Sequence, residues 1–488
     1  MKVRTRMAPS PTGGFHIGGM RTLLYDLALA RHYNGKFILR IEDTDQNRYV
    51  EGAVEELLNL LKDMDISYDE GPVVGGPHAP YVQSERKDIY KKYAQKLVDS
   101  EHAYYCFCTS ERLATLRKEQ QENKQPTRYD RHCLSLSKEQ VTSNLESNMP
   151  YTIRFKMPHG EKVFFKDMVY GDLTFEAAEL DDQILLKSDG FPTYHLAVVV
   201  DDHLMDITHI LRGNDWLPST PKHILLYKAF GWDIPVHAHL PNLKEAGESK
   251  KLSKRHGAVL VEQFLEEGYL PSALLNFLMF LGWNPGTDRE IYSLEEFYSD
   301  FTVERLHKTD LVVFDRQKLL WLNGQYIRNL LPVDLFNEVK KWADRTNTLI
   351  YGENANSEYI FAALSLVQER MKLLSEYNEL THYFYKKPTV DKMLLIKQAK
   401  DSKRANNILT ELSNILQECS DTWNIQTLHD KCYEYVQDSD YKPKEAFMTL
   451  RVAITGEVAS PPIFDVIHLL GSQETISRIG LAQELLES

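Results

Sequence analysis

One stretch near the start of the chain organises the fold, Pro9-Ser10-Pro11-Thr12-Gly13-Gly14-Phe15-His16-Ile17-Gly18-Gly19. Residues 3–8 before it alternate as in a strand, and residues 18–32 after it carry apolar side chains at helical spacing. A second strand-like segment, residues 36–42, follows. Strand–helix–strand order is typical of a parallel sheet with crossover helices, so the sequence predicts an α/β domain at this end.

The same stretch has the chemistry of a phosphate site. Its glycines let the backbone approach a ligand closely, and the N–H groups at the start of the following helix favour an anion. His16 stands at this point and can donate to phosphate or ribose oxygens. The stretch matches neither the Walker loop nor the GxGxxG pattern. The alternative is an ordinary turn in which His16 only caps the helix.

A second basic stretch, Lys251-Leu252-Ser253-Lys254-Arg255, also suits polyphosphate. Two ammonium groups beside a serine would neutralise the charge that develops as pyrophosphate leaves the α-phosphate of ATP. Alone, the stretch is equally typical of a solvated basic loop. Together, the two stretches suggest one ATP site built from two ends of a nucleotide-binding domain.

Composition limits the class of protein. The 488 residues are enough for three or more domains of roughly 100–200 residues each. A net charge of -13 argues against a nucleic-acid binder taken alone, although a large acidic enzyme can carry a local basic face. We find no apolar stretch of membrane-spanning length and too few cysteines for a disulfide framework, and we expect a cytoplasmic protein.

The predicted secondary structure changes along the chain. Residues 103–186 look inserted between two halves of one domain, although two consecutive domains would give a similar pattern. Strand-like segments are predicted at 184–187, 197–202 and 207–212. Helices are predicted at 51–64, 84–99, 220–230, 258–281, 294–301 and 316–330, and nearly everything after Gly257 is predicted to be helical.

Several further stretches, spread over essentially the whole chain, match one protein family together with the two phosphate stretches. They are residues 10–13, 37–45, 186–197, 200–205, 281–283, 321–328, 450–451 and 461–465. The two phosphate stretches resemble the HIGH and KMSKS signatures of class I aminoacyl-tRNA synthetases, and the full set resembles the bacterial type of glutamyl-tRNA synthetase. Gly19 replaces the last histidine of HIGH, while Leu252 and Arg255 replace the methionine and last serine of KMSKS. Neither change removes a charge that the chemistry needs.

The resemblance implies a fold and a domain order. We expect a Rossmann-type parallel-sheet catalytic domain with an α+β insertion, followed by all-α anticodon-binding domains. The expected parts are the two catalytic halves, 1–102 and 187–240, the tRNA acceptor-binding insertion, 103–186, a KMSKS and stem-contact region, 241–330, and the anticodon-binding region, 331–488.

The resemblance also implies site residues. For ATP these are Pro11, Gly13, His16, Gly18, Gly19, Lys251, Ser253 and Lys254, of which His16, Lys251 and Lys254 act on the phosphates. For glutamate they are Arg6, Ala8, Ser10, Glu42, Tyr194, Arg212 and Trp216.

The residues themselves agree with a glutamate pocket. Arg6, Glu42 and Arg212 each follow or end a predicted strand, and ligands of parallel sheets bind at the carboxyl ends of strands. An arginine fork pairs with a carboxylate, and Glu42 suits the α-ammonium. Glutamine would leave a buried arginine without its counter-charge, which predicts discrimination. Some family members have asparagine where this chain has Val198.

A cysteine cluster predicts a structural zinc site in the insertion. Cys106, Cys108 and Cys133 are three candidate ligands, and Tyr129 and His132 are the alternatives for the fourth. Ser135 stands where many zinc-bearing relatives have histidine. The alternative is a set of reduced cysteines that hold no metal.

The resemblance implies a monomeric glutamate–tRNA ligase that uses ATP with Mg²⁺, L-glutamate and tRNA(Glu), and that needs tRNA before it activates glutamate. Arg370 falls near the position where discriminating members carry an arginine facing the anticodon, so charging of tRNA(Gln) stays open. The rivals are a glutaminyl-tRNA synthetase, whose C-terminal part would be a β-barrel, and a catalytically inactive RNA-binding protein.

Overall fold

The computed structural model describes residues 2–253 and 257–488, so Lys254 and Arg255 of the second basic stretch lie outside the described residues. The chain divides into two compact units. Unit 1 comprises Met1–Gln263 and Leu275–Asp315, and unit 2 comprises Phe264–Leu274 and Arg316–Ser488. No helix among the described residues is long and apolar enough to cross a membrane.

Parallel strands form the centre of unit 1. Strand β1 (Arg4–Met7) pairs with β2 (Lys36–Leu39) across helix α1 (Ile17–His32). Strand β8 (His209–Gly213) pairs in parallel with β9 (Val236–Leu240). The N–H of Thr208, one residue before β8, donates to Arg4 O in β1 at 3.0 Å, which brings the two strand pairs together. The predicted parallel-sheet α/β domain is therefore confirmed.

The remaining elements of unit 1 flank this sheet and the site that it carries. They are α2 (Ala53–Asp63), α3 (Lys87–Asp99), β3 (Ala103–Cys106), α4 (Ser110–Glu122), α5 (Lys138–Glu146), β4 (Thr152–Phe155), β5 (Lys162–Asp167), β6 (Gly171–Glu176), β7 (Ile184–Leu186), α6 (Tyr194–Leu204), α7 (Thr220–Phe230), β10 (Asn242–Glu245), α8 (Val261–Glu267, running into unit 2), α9 (Pro271–Met279, running back into unit 1), α10 (Leu294–Asp300) and β11 (Leu311–Phe314).

Residues 103–186 contribute to two sheets. Strands β3, β4 and β7 form a three-stranded antiparallel sheet. The antiparallel hairpin β5–β6 instead joins the edge of the central sheet, where Asp167 pairs in parallel with His237 of β9. The hairpin therefore brings Asp167 against the strand that follows the α7 crossover.

Two local predictions were wrong. Residues 197–202, predicted as strand-like, lie in α6, where the apolar run Leu196–Val200 is buried on every side and shows no period that separates a strand from a buried helix. The predicted helix 258–281 is two helices, because Gly268 at φ 98° ends α8 and Pro271 begins α9. Strand β11 lies within the region that was predicted to be nearly all helical.

The regular secondary structure among the described residues of unit 2 is helical, with no strand. Its helices are α11 (Arg316–Asn329), α12 (Pro332–Thr346), α13 (Ser357–Val367), α14 (Tyr377–Tyr385), α15 (Lys392–Ala399), α16 (Ser402–Glu418), α17 (Ile425–Asp438), α18 (Pro443–Thr455), α19 (Ile463–Leu470) and α20 (Ser472–Glu487). They bury a common apolar core. The expected all-α C-terminal region is confirmed, which argues against the β-barrel rival.

Candidate active site

A cavity of about 860 Å³ opens in unit 1 where β1 and β8 end and α1 and α6 begin. Sites of this volume at the carboxyl ends of parallel strands commonly bind small ligands. Most of the residues predicted for glutamate and ATP line it together, namely Arg6, Ala8, Ser10, His16, Gly18, Gly19, Glu42, Tyr194, Arg212, Trp216 and Lys251. Of the other described residues predicted for ATP, Pro11, Gly13 and Ser253 are not in its lining.

Arg6 belongs to a buried network of alternating charges. Its Nε lies 3.1 Å from Oδ1 of Asp202, and Arg40 Nη1 lies 2.7 Å from the same oxygen. Arg40 also contacts Glu42 at 2.9 Å. Burial alone would raise the pKa of Asp202, but Arg6 and Arg40 hold it below its ordinary value. Two arginines and two carboxylates therefore compensate each other beside the cavity.

Arg212 lies in a different environment. Its guanidinium is buried, at 6% exposure, and forms no ion pair with any described carboxylate. Its partners are uncharged: Nη2 donates to Thr220 Oγ1 at 2.7 Å and Nε donates to His239 Nε2 at 3.1 Å. Burial lowers the pKa of Arg212. A buried cation without a counter-charge calls for an anion in the cavity.

Two aromatic residues form the wall beside Arg212. The hydroxyl of Tyr194, at the start of α6, accepts from Arg212 Nη1 at 3.4 Å. Burial raises the pKa of Tyr194, so its hydroxyl stays neutral. The ring of Trp216 lies 4.7 Å from that of Tyr194 and is 40% exposed. Val198 is buried one turn further along α6 and offers no polar group.

His16 caps the first helix and also lines the cavity. It is the N-cap of α1, and its Nδ1 accepts the N–H of Gly18 at 3.0 Å while the residue also lines the cavity. A Cβ on Gly18 would lie 3.2 Å from His16 Nδ1, and one on Gly19 would lie 3.2 Å from the Phe15 ring. Glycines at these positions therefore let the helix start close against the histidine.

Lys251 lines the same cavity and belongs to the segment that follows β10. The N–H of Leu252 donates to Leu243 O in β10 at 2.6 Å, and Leu252 is buried. This pairing fixes the backbone beside Lys251. Its Nζ lies 2.9 Å from Asp215 Oδ2, and both side chains are about half exposed. Lys251 is thus restrained by one acid while remaining accessible to solvent.

Several lining residues were not predicted. Arg21 of α1 is buried and donates to the backbone oxygens of Pro241 and Leu281 at 2.5 and 3.0 Å. A lone arginine within the apolar run of α1 was a signal that could have identified it. Asp215 and His195 also line the cavity, but their local sequence carries no comparable signal.

The three predicted cysteines come together in the insertion. The sulfurs of Cys106, Cys108 and Cys133 all lie within 4.8 Å of one another. The Tyr129 hydroxyl is 3.3 Å from Cys106 Sγ and 3.4 Å from Cys108 Sγ. A tetrahedral ion with metal–sulfur bonds of about 2.3 Å would separate its sulfurs by roughly 3.8 Å, which fits this set. His132 is exposed at the surface.

In unit 2, Arg370 is exposed at the end of the short 3₁₀ turn Gln368–Arg370. Its charge and that of Arg451 both act on Tyr383, whose pKa is raised to about 12, mainly by burial. Arg451 in turn donates to the backbone oxygens of Ser460 and Pro461 at 2.9 and 2.6 Å. Two arginines therefore lie near one tyrosine on this unit.

Comparison with known proteins gives a consistent result. Residues 2–321 match the family model described as tRNA synthetases class I (E and Q), catalytic domain, and residues 334–483 match an anticodon binding domain. The chain is 43% identical to a glutamate–tRNA ligase of Clostridium tetani over 492 residues, covering 100% of this chain and 98% of that protein. It is also 43% identical to the glutamate–tRNA ligase of Clostridium novyi, with the same coverage.

Solved structures of similar proteins give the same result as the sequence comparisons. A crystal structure of a glutamate tRNA ligase from Elizabethkingia meningosepticum, in complex with its amino acid, superposes with a TM-score of 0.91 at 35% identity over 100% of both chains. A glutamate–tRNA synthetase from Elizabethkingia anophelis gives 0.89 at 35% identity, over 99% of this chain and 100% of that one. The chain belongs to the glutamate–tRNA ligases, a family of class I tRNA synthetases.

Proposed function

We propose that this chain joins L-glutamate to AMP from ATP, releases pyrophosphate, and transfers the glutamyl group to the terminal adenosine of tRNA(Glu). The observation that carries the choice of amino acid is the uncompensated Arg212 in the cavity wall. The side-chain carboxylate of glutamate supplies the missing counter-charge, with the Tyr194 hydroxyl beside it. Glu42 receives the α-ammonium, and Arg6, Ala8, Ser10 and Trp216 complete the pocket.

ATP occupies the end of the cavity next to α1. His16 donates to phosphate or ribose through the ring nitrogen that does not accept from Gly18. Lys251, with Lys254, neutralises the charge that develops as pyrophosphate leaves, and Mg²⁺ accompanies the nucleotide. The rate enhancement comes from positioning and charge stabilisation, without a covalent enzyme intermediate.

Zinc is the metal best suited to the cysteine cluster, because it prefers soft thiolate ligands at tetrahedral spacing and also accepts an oxygen as its fourth ligand. Tyr129 is the fourth ligand in this proposal. The ion would hold the insertion that meets the tRNA acceptor end. Metal analysis of protein purified without chelator should find one zinc per chain, and its absence would leave the cluster as reduced thiols.

The proposed domains follow the order expected from the sequence. Residues 1–102 and 187–240 form the catalytic domain, 103–186 the acceptor-binding insertion, 241–330 the stem-contact region and 331–488 the anticodon-binding region of a monomer. Arg370 contacts the anticodon in this scheme. Charging purified tRNA(Glu) and tRNA(Gln) with wild type and Arg370→Gln tests that role, and loss of discrimination in the variant would support it.

The decisive assay is glutamate-dependent ATP–pyrophosphate exchange, measured with and without tRNA(Glu). We expect exchange only with tRNA, and we expect Arg212→Met to abolish it. A wild-type protein without exchange in the presence of tRNA would favour the inactive RNA-binding alternative. Equal exchange with glutamine would overturn the role of Arg212.

A further inference from the structure

Arg212 is held by imidazole rings rather than by acids, and the ring that holds its Nε is itself anchored by a carboxylate. We propose that the Asp167–His239 pair is a positioning device that fixes Arg212 in place while leaving its charge for the substrate. The inference rests on the proposed role of Arg212 in binding glutamate. Asp167 comes from β5 and His239 from β9, so neither lies near Arg212 in sequence.

The tautomer of His239 follows from Asp167 on one ring nitrogen and Arg212 on the other, where Thr220 Oγ1 also lies 3.1 Å from Nε2. Its Nδ1 lies 2.6 Å from Oδ2 of Asp167, a carboxylate that can only accept, so Nδ1 carries the hydrogen. The opposite nitrogen, Nε2, lies 3.1 Å from Arg212 Nε, which can only donate. His239 is therefore neutral and accepts from Arg212 because Asp167 fixes its proton on the far side.

Asp167 is anchored in turn. Its Oδ1 accepts the backbone N–H groups of Val169 and Tyr170, each at 2.9 Å, and the residue is 1% exposed. Burial alone would raise the pKa of Asp167, but the hydrogen bonds from His239 and from the Tyr170 N–H hold it below its ordinary value. The acid therefore stays ionised and immobile at the end of β5.

A second imidazole holds another guanidinium nitrogen in the same way. His223 Nδ1 lies 3.3 Å from Arg212 Nη1, and His223 Nε2 lies 3.0 Å from His195 Nδ1. The ring therefore accepts from Arg212 and donates to His195. With Thr220 on Nη2, every nitrogen of Arg212 has an uncharged acceptor.

The imidazole of His239 keeps the charge of Arg212 available to the substrate. A carboxylate in direct contact with Arg212 would position it equally well but would compete with the substrate carboxylate. An imidazole between Asp167 and Arg212 transmits orientation without neutralising the cation. Asp167 and His239 are thus positioning residues for recognition of an acidic side chain.

The test is Asp167→Asn in glutamate-dependent ATP–pyrophosphate exchange with tRNA(Glu). The asparagine oxygen must still accept from Val169 and Tyr170, so its NH₂ group faces His239 Nδ1 and moves the ring hydrogen to Nε2, against Arg212. We expect KM for glutamate to rise about 10–100-fold, as for loss of one charged hydrogen bond, with kcat and KM for ATP changed much less.

Two further variants separate positioning from folding. His239→Gln keeps an acceptor for Arg212, and His239→Leu does not, so KM for glutamate should rise less in the first. His237→Asn, at an equally buried ring two residues earlier on β9 with no hydrogen bond to Arg212, is the control and should leave KM unchanged.

The outcomes are distinguishable. An unchanged KM for glutamate in Asp167→Asn and His239→Leu would overturn the inference, as would equal losses in kcat and both KM values. If Asp167→Asn does not fold, the two His239 variants decide. A wild-type protein without glutamate-dependent exchange would instead contradict the proposed function.

Discussion

Two buried arginines beside the cavity should differ in how much stability the same substitution removes. Arg40 has no solvent exposure and contacts Asp202 at 2.7 Å and Glu42 at 2.9 Å. Arg40→Met would leave these acids buried with one positive partner fewer. Breaking a buried ion pair from one side costs about 3–5 kcal/mol, so we expect the free energy of unfolding of unit 1 to fall by that amount.

Arg212→Met removes a cation that has no acid partner among the described residues. It loses hydrogen bonds to uncharged acceptors, each worth about 0.5–1.5 kcal/mol net, and it relieves the burial of an unpaired charge, which costs several kcal/mol. These contributions oppose each other. We therefore expect the free energy of unfolding to stay within about 1 kcal/mol of wild type, although activity is lost.

Urea unfolding followed by hydrogen exchange in peptides from β1 and β2 reports on unit 1 alone. The two variants carry the same chemical change and serve as controls for each other. Saturating glutamate, at about 100 times its Kd, should stabilise the wild type by about 2.7 kcal/mol and leave Arg212→Met unchanged. A loss in Arg212→Met as large as that in Arg40→Met would refute the view that Arg212 is uncompensated.

Three other outcomes follow from the structure. Gly268→Ala should lower the free energy of unfolding of unit 2, measured in urea, by about 2 kcal/mol or more, because φ is 98° and the new Cβ would lie 2.7 Å from a backbone nitrogen. The control Gly480→Ala, in open space on α20, should instead raise that free energy by about 0.5–1 kcal/mol. Burial, with nearby positive charges, lowers the pKa of His195 to about 4, so the folded protein favours the neutral imidazole. The melting temperature should therefore fall as pH drops from about 6.5 towards 4, and His195→Gln should make this fall with pH smaller. Tyr129→Phe should lose zinc at lower chelator concentrations than the exposed-site control His132→Ala, as followed by metal analysis.

The sequence alone predicted which residues come together, and where some elements begin and end, when a local feature such as the end of a parallel strand determines their position. Arg6 and Arg212 line one cavity because parallel strands end at the same edge of a sheet, whatever their separation along the chain. The cysteine spacing likewise predicted which sulfurs come together. Helix α7 has the predicted bounds, residues 220–230, because Pro221 stands in its first turn and Gly231, at φ 68°, ends it.

The sequence was insufficient where a partner comes from a distant element. Asp202 compensates Arg6 from α6, in a stretch whose apolar run was predicted as strand. His239 lies on β9 and Asp167 on β5, and neither strand was predicted, so the support behind Arg212 had no sequence signal. Pairing between such residues depends on tertiary packing, which periodicity does not encode.

The charges around the cavity are consistent with the proposed choice of amino acid. Three arginines in the buried network beside the cavity are balanced by three acids, so the network carries no excess charge: Arg6, Arg40 and Arg86 pair with Asp201, Asp202 and Glu42. Arg212 adds one positive charge that no described acid balances. Glutamate at neutral pH carries one net negative charge, whereas glutamine carries none. In the proposed pocket, bound glutamine would leave the buried guanidinium facing a neutral amide, so the excess charge on Arg212 would select the acid over its amide.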